Sequence, residues 1–136
     1  MKKIVTSICL CLAFLFCSAQ ALQPEAKNFI DTYFPNNQIV NVQSYSDGTC
    51  VAELDMEVQI QFDNHGAWLY VLSMHQDITH LVSDKIKNYL VERGDNPANI
   101  CRIQSRWQGS GTRLTFNDGL IYLFDANGNF VREDFD

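Results

Sequence analysis

The sequence predicts an α+β domain: two tandem helix-plus-four-strand repeats forming one antiparallel sheet with both helices on one face. Three observations carry this. First, Ile60-Gln-Phe-Asp-Asn-His-Gly-Ala-Trp68 returns 62 residues later as Tyr122-Leu-Phe-Asp-Ala-Asn-Gly-Asn-Phe130, as expected when one structural unit is used twice. Second, two segments carry apolar residues at spacings of three and four, while the rest alternate with a period of two. Third, Asn/Asp/Gly/Ser clusters separate the alternating runs, as hairpins require.

The elements follow in order. Lys2 and Lys3 precede the apolar run Ile4 to Phe16, which is short for a membrane span, and Ser18-Ala19-Gln20-Ala21 follows. This reads as a signal peptide over 1–21, cleaved after Ala21. Residues 22–136 read as one domain made of repeats 22–75 and 76–136. Pro24 suits a first helical turn. Leu22, Ala26, Phe29, Ile30, Tyr33 and Phe34 make one face, and Pro35-Asn36-Asn37 stops the helix. The second helix places Leu81, Val82, Ile86, Tyr89 and Leu90 on one face, with Thr79 or Ser83 as its cap and Gly94 at its end. Aligning the helices sets Ile30 on Ile86 and Tyr33 on Tyr89.

Strands are expected at 38–45, 49–55, 57–62 and 67–73, then at 99–107, 112–117, 119–125 and 129–133. Alternation places Val40, Val42, Cys50, Ala52, Leu54, Val58, Ile60 and Phe62 under the helices. Their counterparts are Cys101, Ile103, Leu114, Phe116, Leu120, Tyr122 and Phe124. The opposite face carries Asn41, Gln43, Tyr45, Glu53, Gln59 and Gln61, then Arg102, Gln104, Arg106, Arg113 and Thr115. It reads as solvated, as one side of an antiparallel sheet can be. Ile121 and Leu123 break its polarity.

The whole sequence holds 10 Lys+Arg against 16 Asp+Glu. Without Lys2 and Lys3 the count is 8 against 16, a net charge of −8, which argues against nucleic acid and anionic membrane as partners. Cys50 and Cys101 remain beyond the signal. They sit on the second and fifth strands, roughly 14 Å apart in a simple meander, too far for a disulfide; an interleaved order would bring them together.

An export signal, a helix ending in Tyr33-Phe34-Pro35, and apolar-x-Phe-Asp-x-x-Gly-x-aromatic resemble the PepSY-like family of bacterial periplasmic proteins, also described as beta-lactamase-inhibitor-like. Phe29, Ile30, Tyr33, Phe34, Pro35, Phe62, Asp63, Gly66 and Trp68 carry the resemblance in the first unit. Ile86, Tyr89, Phe124, Asp125, Gly128 and Phe130 carry it in the second. It implies two tandem helix–sheet units, a periplasmic or secreted home, and a binding or inhibitory role across a curved sheet face. It supplies no catalytic residues. The second unit departs from the pattern, with Leu90-Val91-Glu92-Arg93-Gly94 at the helix end and Asn129-Phe130 in place of the Trp.

No motif points to catalysis. There is no Gly-x-Ser-x-Gly, and Gly109-Ser110-Gly111 lacks the helix that a phosphate cradle needs. Cys50 faces the core with no His beside it. His75 and His80 could take Asp77 as a third zinc ligand, but no Cys or further His lies nearby in sequence, and an exposed polar loop uses the same residues. Asp125-Ala126-Asn127-Gly128-Asn129 has alternating oxygens suited to calcium, but its Gly is misplaced for that loop and a hairpin turn uses the same letters. The expectation is a non-enzymatic binding module with no cofactor and no metal. Its candidate contacts are Tyr45, Arg102, Arg106, Trp107 and Arg113, with Trp68 and Tyr70. Its partner would be a periplasmic or extracellular protein or peptide, without stable membrane insertion; self-association through the sheet face is open. A small-ligand or metal carrier is the alternative.

Overall fold

The computed structural model describes residues 22–135. The expected signal peptide, residues 1–21, and the terminal Asp136 lie outside the described residues. Helix α1 is Pro24–Tyr33 and α2 is Asp84–Arg93. The strands are β1 Ile39–Ser44, β2 Cys50–Leu54, β3 Val58–Phe62, β4 Trp68–Ser73, β5 Ile100–Trp107, β6 Gly111–Phe116, β7 Leu120–Phe124 and β8 Phe130–Phe135. They form a single eight-stranded sheet in sequence order, β1 to β8, with every neighbouring pair antiparallel. Such an order needs only short hairpins and one long connection, the segment holding α2.

Both helices lie on one side of the sheet. Ala26, Ile30, Ile86 and Leu90 share one continuous core with Ala52, Val58, Ile60, Phe62, Ile103, Leu114, Tyr122 and Phe124. The helix ends explain themselves. Pro24 opens α1, where its missing N–H costs nothing. The Ser83 hydroxyl accepts from the Ile86 N–H at the start of α2, and Gly94 ends it in the left-handed conformation. Of the two expected caps, Ser83 is used; Thr79 begins a separate 3₁₀ turn, Thr79–Leu81. Ile78, before that turn, is fully buried and fixes the connection to the core. Asn37, Gln76 and Asp55 close the same corner: the Asn37 amide donates to Gln76 Oε1 at 2.7 Å and to Asp55 Oδ1 at 3.0 Å.

Three corrections to the expected faces have one cause. A β-bulge adds a residue to one strand and reverses the alternation beyond it. In β1 the register shifts between Ile39 and Asn41, so Ile39 and Val42 pack on the core while Val40 is 61% exposed. In β5 it shifts between Ile100 and Arg102. Ile100 therefore takes the core position, and Cys101 is left half-buried. A second shift between Ser105 and Trp107 affects Arg106. Cys50 and Cys101 are free thiols, their pKa values pushed up by burial.

The helix alignment is also corrected by one turn. Phe29, not Tyr33, is the counterpart of Tyr89. Phe29 stacks on Trp68 at 5.6 Å and meets Phe62 edge-on at 5.8 Å. Tyr89 stacks on Phe130 at 4.9 Å and meets Phe124 edge-on at 5.6 Å. Tyr33 sits at the exposed end of α1 instead.

Candidate binding face

The strand registers assemble the uncovered face from the backbone upward. Reading pairs across the sheet, one row runs Asn41, Glu53, Gln59, Leu72, Arg102, Thr115, Ile121, Asp134. The next runs Gln43, Val51, Gln61, Tyr70, Gln104, Arg113, Leu123, Arg132. Side chains directly opposite on neighbouring strands touch, so each row is a continuous surface strip. The strips are polar toward β1 and mixed aromatic, apolar and cationic from β4 to β8. Ile121 and Leu123 are buried, at 3% and 2% exposure, yet stand outside the main core. They form a small second cluster on this face.

The expected site residues separate into three groups. Tyr70, Arg102, Arg113 and Trp107 come together. The Arg102 guanidinium lies over the Tyr70 ring, 4.6 Å from its centroid, and the Arg132 guanidinium lies 5.8 Å from that of Trp107. Tyr45, just beyond β1, is exposed and stands apart near the sheet edge. Arg106 and Trp68 leave the site. Arg106 is the extra residue of the second β5 bulge, has a φ of 60°, and donates to Asp63 Oδ2 at 2.9 Å. Trp68 packs on the helix-side core against Phe29. Leu72, Arg132 and Val51 were missed. Alternation from Tyr70 and Glu53 would have found Leu72 and Val51.

The repeated turns are structural. Asp63 Oδ1 accepts from the His65 and Ala67 N–H groups at 2.8 and 2.9 Å. Asp125 Oδ1 accepts from those of Asn127 and Asn129, both at 2.9 Å. Each carboxyl sits below the usual carboxylate range. For Asp63, desolvation acts upward and is outweighed by those N–H groups and by Arg106. For Asp125 the Asn129 N–H is the leading cause. The oxygens that suggested calcium are thus turned onto their own hairpins. Among the described residues no group of three His, Cys, Asp or Glu is placed to hold a metal. His75 Nε2 is 3.1 Å from Glu57, whereas His80 Nε2 is 2.8 Å from the Tyr33 carbonyl, so the two do not converge.

Two hollows complete the surface. On the helix side a cleft of 330 Å³ lies over the central strands, with Trp68, Ile86 and Ile103 among its apolar walls and Ser83, Lys85 and Thr112 among its polar ones. On the open face a hollow of 550 Å³ is lined by Val40, Glu53, Met56, Leu72 and Met74. No described helix is long and apolar enough to cross a membrane.

No protein-family model matches the chain, and no curated protein matches it. Solved structures do. A Bacteroides thetaiotaomicron protein provisionally described as calcium-regulated and periplasmic superposes with a TM-score of 0.71 at 17% identity, over 83% of this chain and 90% of that one. A Bacteroides vulgatus protein of unknown function, provisionally described as periplasmic, gives 0.67 at 19% identity, over 83% and 91%. A second from that organism, provisionally described as a periplasmic protein of the DUF2874 family, gives 0.66 at 22% identity, over 83% and 90%. At these identities the comparison establishes a shared fold: an open eight-stranded antiparallel sheet with two helices.

Proposed function

We propose that this chain is an exported, periplasmic, non-enzymatic binding module that holds a protein or peptide against its open sheet face. The observation that supports it most is the composition of the two central strips. Arg102 on Tyr70 and Trp107 under Arg132, with the half-buried Leu72 beside them, gather on one uncovered surface the residue types that dominate protein interfaces. The periplasmic home rests on the leader-like first 21 residues and on the descriptions of the structural neighbours. The matched turns and aromatic stacks support descent of the domain from one unit used twice, in line with the PepSY-like resemblance. Inhibition of an enzyme would be one form of such binding.

The test is capture from periplasmic extract with three proteins: wild type, Leu72→Asp in the centre of the open face, and Lys85→Glu on the helix side. The reading expects capture by wild type and Lys85→Glu and loss in Leu72→Asp, with all three equally folded by circular dichroism. Equal capture by all three, or loss only in Lys85→Glu, would overturn it. The second outcome would favour the carrier reading, which the 330 Å³ cleft supports because its size and mixed lining suit a small ligand. Native mass spectrometry of the exported protein would then show the ligand's mass. One neighbour's provisional description as calcium-regulated is not extended to this chain, whose turn carboxylates serve their own backbones. Chelation with EDTA is expected to leave Tm unchanged.

A further inference from the structure

The centre of the open face holds positive charge that nothing in the described protein neutralises. Arg102 and Arg113 stand on adjacent strands, diagonally related through the pairs Arg102–Thr115 and Gln104–Arg113. Neither is among the ion pairs of the described residues, which engage Arg93, Arg106 and Arg132. The Arg113 strip contains no carboxylate at all. The Arg102 strip has acids only toward its two ends, Glu53 and Asp134, each three strands away from Arg102 or roughly 14 Å. In a chain with an excess of acidic residues, two central arginines left unpaired are not explained by stability.

Arg102 is also held in an unusual way. Its Nε is buried without a hydrogen-bond acceptor, and stacking on Tyr70 fixes the side chain. A planar cation already stripped of part of its water and already ordered loses less on binding than a free surface arginine. Gln104 lies between Tyr70 and Arg113 in the neighbouring strip and adds an amide donor. Leu72 on β4, half-buried and directly opposite Arg102, adds an apolar contact at the edge of this centre. From Leu72 on β4 to Arg113 on β6 the centre spans two strand spacings, roughly 10 Å, which exceeds a lone ion and suits about three residues of extended chain.

Resting on the binding reading above, we propose that the Arg102–Gln104–Arg113 centre receives the carboxylate of an Asp or Glu side chain from an acidic, apolar-flanked segment of a partner protein. The guanidiniums supply charge-assisted hydrogen bonds, and the half-buried Leu72 receives a flanking apolar side chain.

The experiment follows the arginine Nε–H resonances of the ¹⁵N-labelled exported protein by NMR. The probes are a capped peptide of alternating Leu and Asp, its twin with Asn for every Asp, and inorganic phosphate. The expected result is a saturable shift of the Arg102 and Arg113 signals by the Asp peptide. The apparent affinity should fall about tenfold or more for the Asn twin and for Arg102→Gln/Arg113→Gln. Equal binding of both peptides, shifts confined to other arginines, or no saturation by about 1 mM peptide would overturn the proposal. Phosphate shifting the same signals as strongly would also overturn it, in favour of a small-anion site. If the double variant is unfolded, Arg113→Gln alone, away from the Tyr70 stack, takes its place. A double variant that keeps the captured partner while Leu72→Asp loses it would sink this inference and leave the binding reading standing.

Discussion

The Asp63 turn and the Asp125 turn share one hydrogen-bond pattern, but different surroundings stand over them. Each Asp accepts the N–H groups two and four residues on, each Gly donates back to the Asp carbonyl at 3.1 or 3.0 Å, and each Gly is left-handed. Over the first turn, α1 closes tightly. A Cβ on Gly66 would stand 2.9 Å from Gln23 Cβ and 3.1 Å from the Ala26 nitrogen. Over the second, a Cβ on Gly128 would meet only side chains at ordinary contact distance, Lys85 Cδ at 3.4 Å and Ile86 Cγ1 at 3.8 Å. The second turn opens instead onto the helix-side cleft, which Gly128 lines. Turn chemistry therefore fixes the hairpin, while the helix start above it is free to close or to leave a hollow.

The largest expected effect tests the sameness. Phe62 and Phe124 are both fully buried and each receives the edge of a helix aromatic. Replacing either with Ala is expected to cost about 3–5 kcal/mol, equally within error, in urea denaturation. A gap much wider than 1 kcal/mol would mean that the two halves do not carry equal shares of the core. Next comes the difference. Gly66→Ala and Gly128→Ala both force a left-handed Ala. Gly66→Ala also drives a methyl into helix backbone, so it is expected to cost roughly 2–3 kcal/mol against roughly 1 for Gly128→Ala. Equal losses would show that α1 shifts to make room.

The sequence exposed this comparison because turns are local. Asp, Gly and the flanking aromatics fix the hairpin within nine residues, and strand boundaries fell within two residues of their expected places for the same reason. What stayed hidden was the count of residues between turns. Nothing in Gln38-Ile39-Val40-Asn41 or Ile100-Cys101-Arg102 marks the extra residue, since either neighbour suits the core. Which one enters is decided by the partner strand. Arg106 leaves the expected arginine cluster for that reason, while Arg102 and Arg113 keep their places on the open face. The Arg102–Tyr70 contact needed the β4–β5 pairing, a long-range fact that period-two reading does not contain.

A pH difference should separate the halves further. Tyr122 donates its hydroxyl to Asp95 Oδ2 at 2.7 Å, and burial first, then Asp95, pushes its pKa up to about 12. The folded state holds this proton more tightly than the unfolded chain does. The stabilisation is therefore complete below the ordinary value of 10.0 and is lost as pH rises from there through about 12. Alkaline unfolding should begin in that window, and Tyr122→Phe should flatten the dependence. Asp63 and Asp125 have the opposite sign. Their contribution is present above the ordinary 3.8 and is lost as pH falls through their lower folded values. Only Asp63 pairs with an arginine, so added salt should weaken its acid resistance more than that of Asp125, read by carboxyl NMR titration.

The smallest expected effect tests a turn that breaks the pattern of both halves. Between β2 and β3, Met56 and Glu57 hold φ values of 62° and 56°, where the other tight turns place Gly. Three residues, Asp55 to Glu57, link the paired Leu54 and Val58, and left-handed backbone there costs least for Gly and Asn. Met56 is 58% exposed and lines the open-face hollow with Met74, so packing of its side chain does not explain the choice. Met56→Asn/Glu57→Gly is expected to stabilise the fold by about 1 kcal/mol, seen as a higher Tm. The strain then belongs to the surface and not to the fold. If the same variant also weakens capture of the partner, the hollow under Met56 extends the binding face toward β1. Unchanged capture would confine that face to the arginine-rich half.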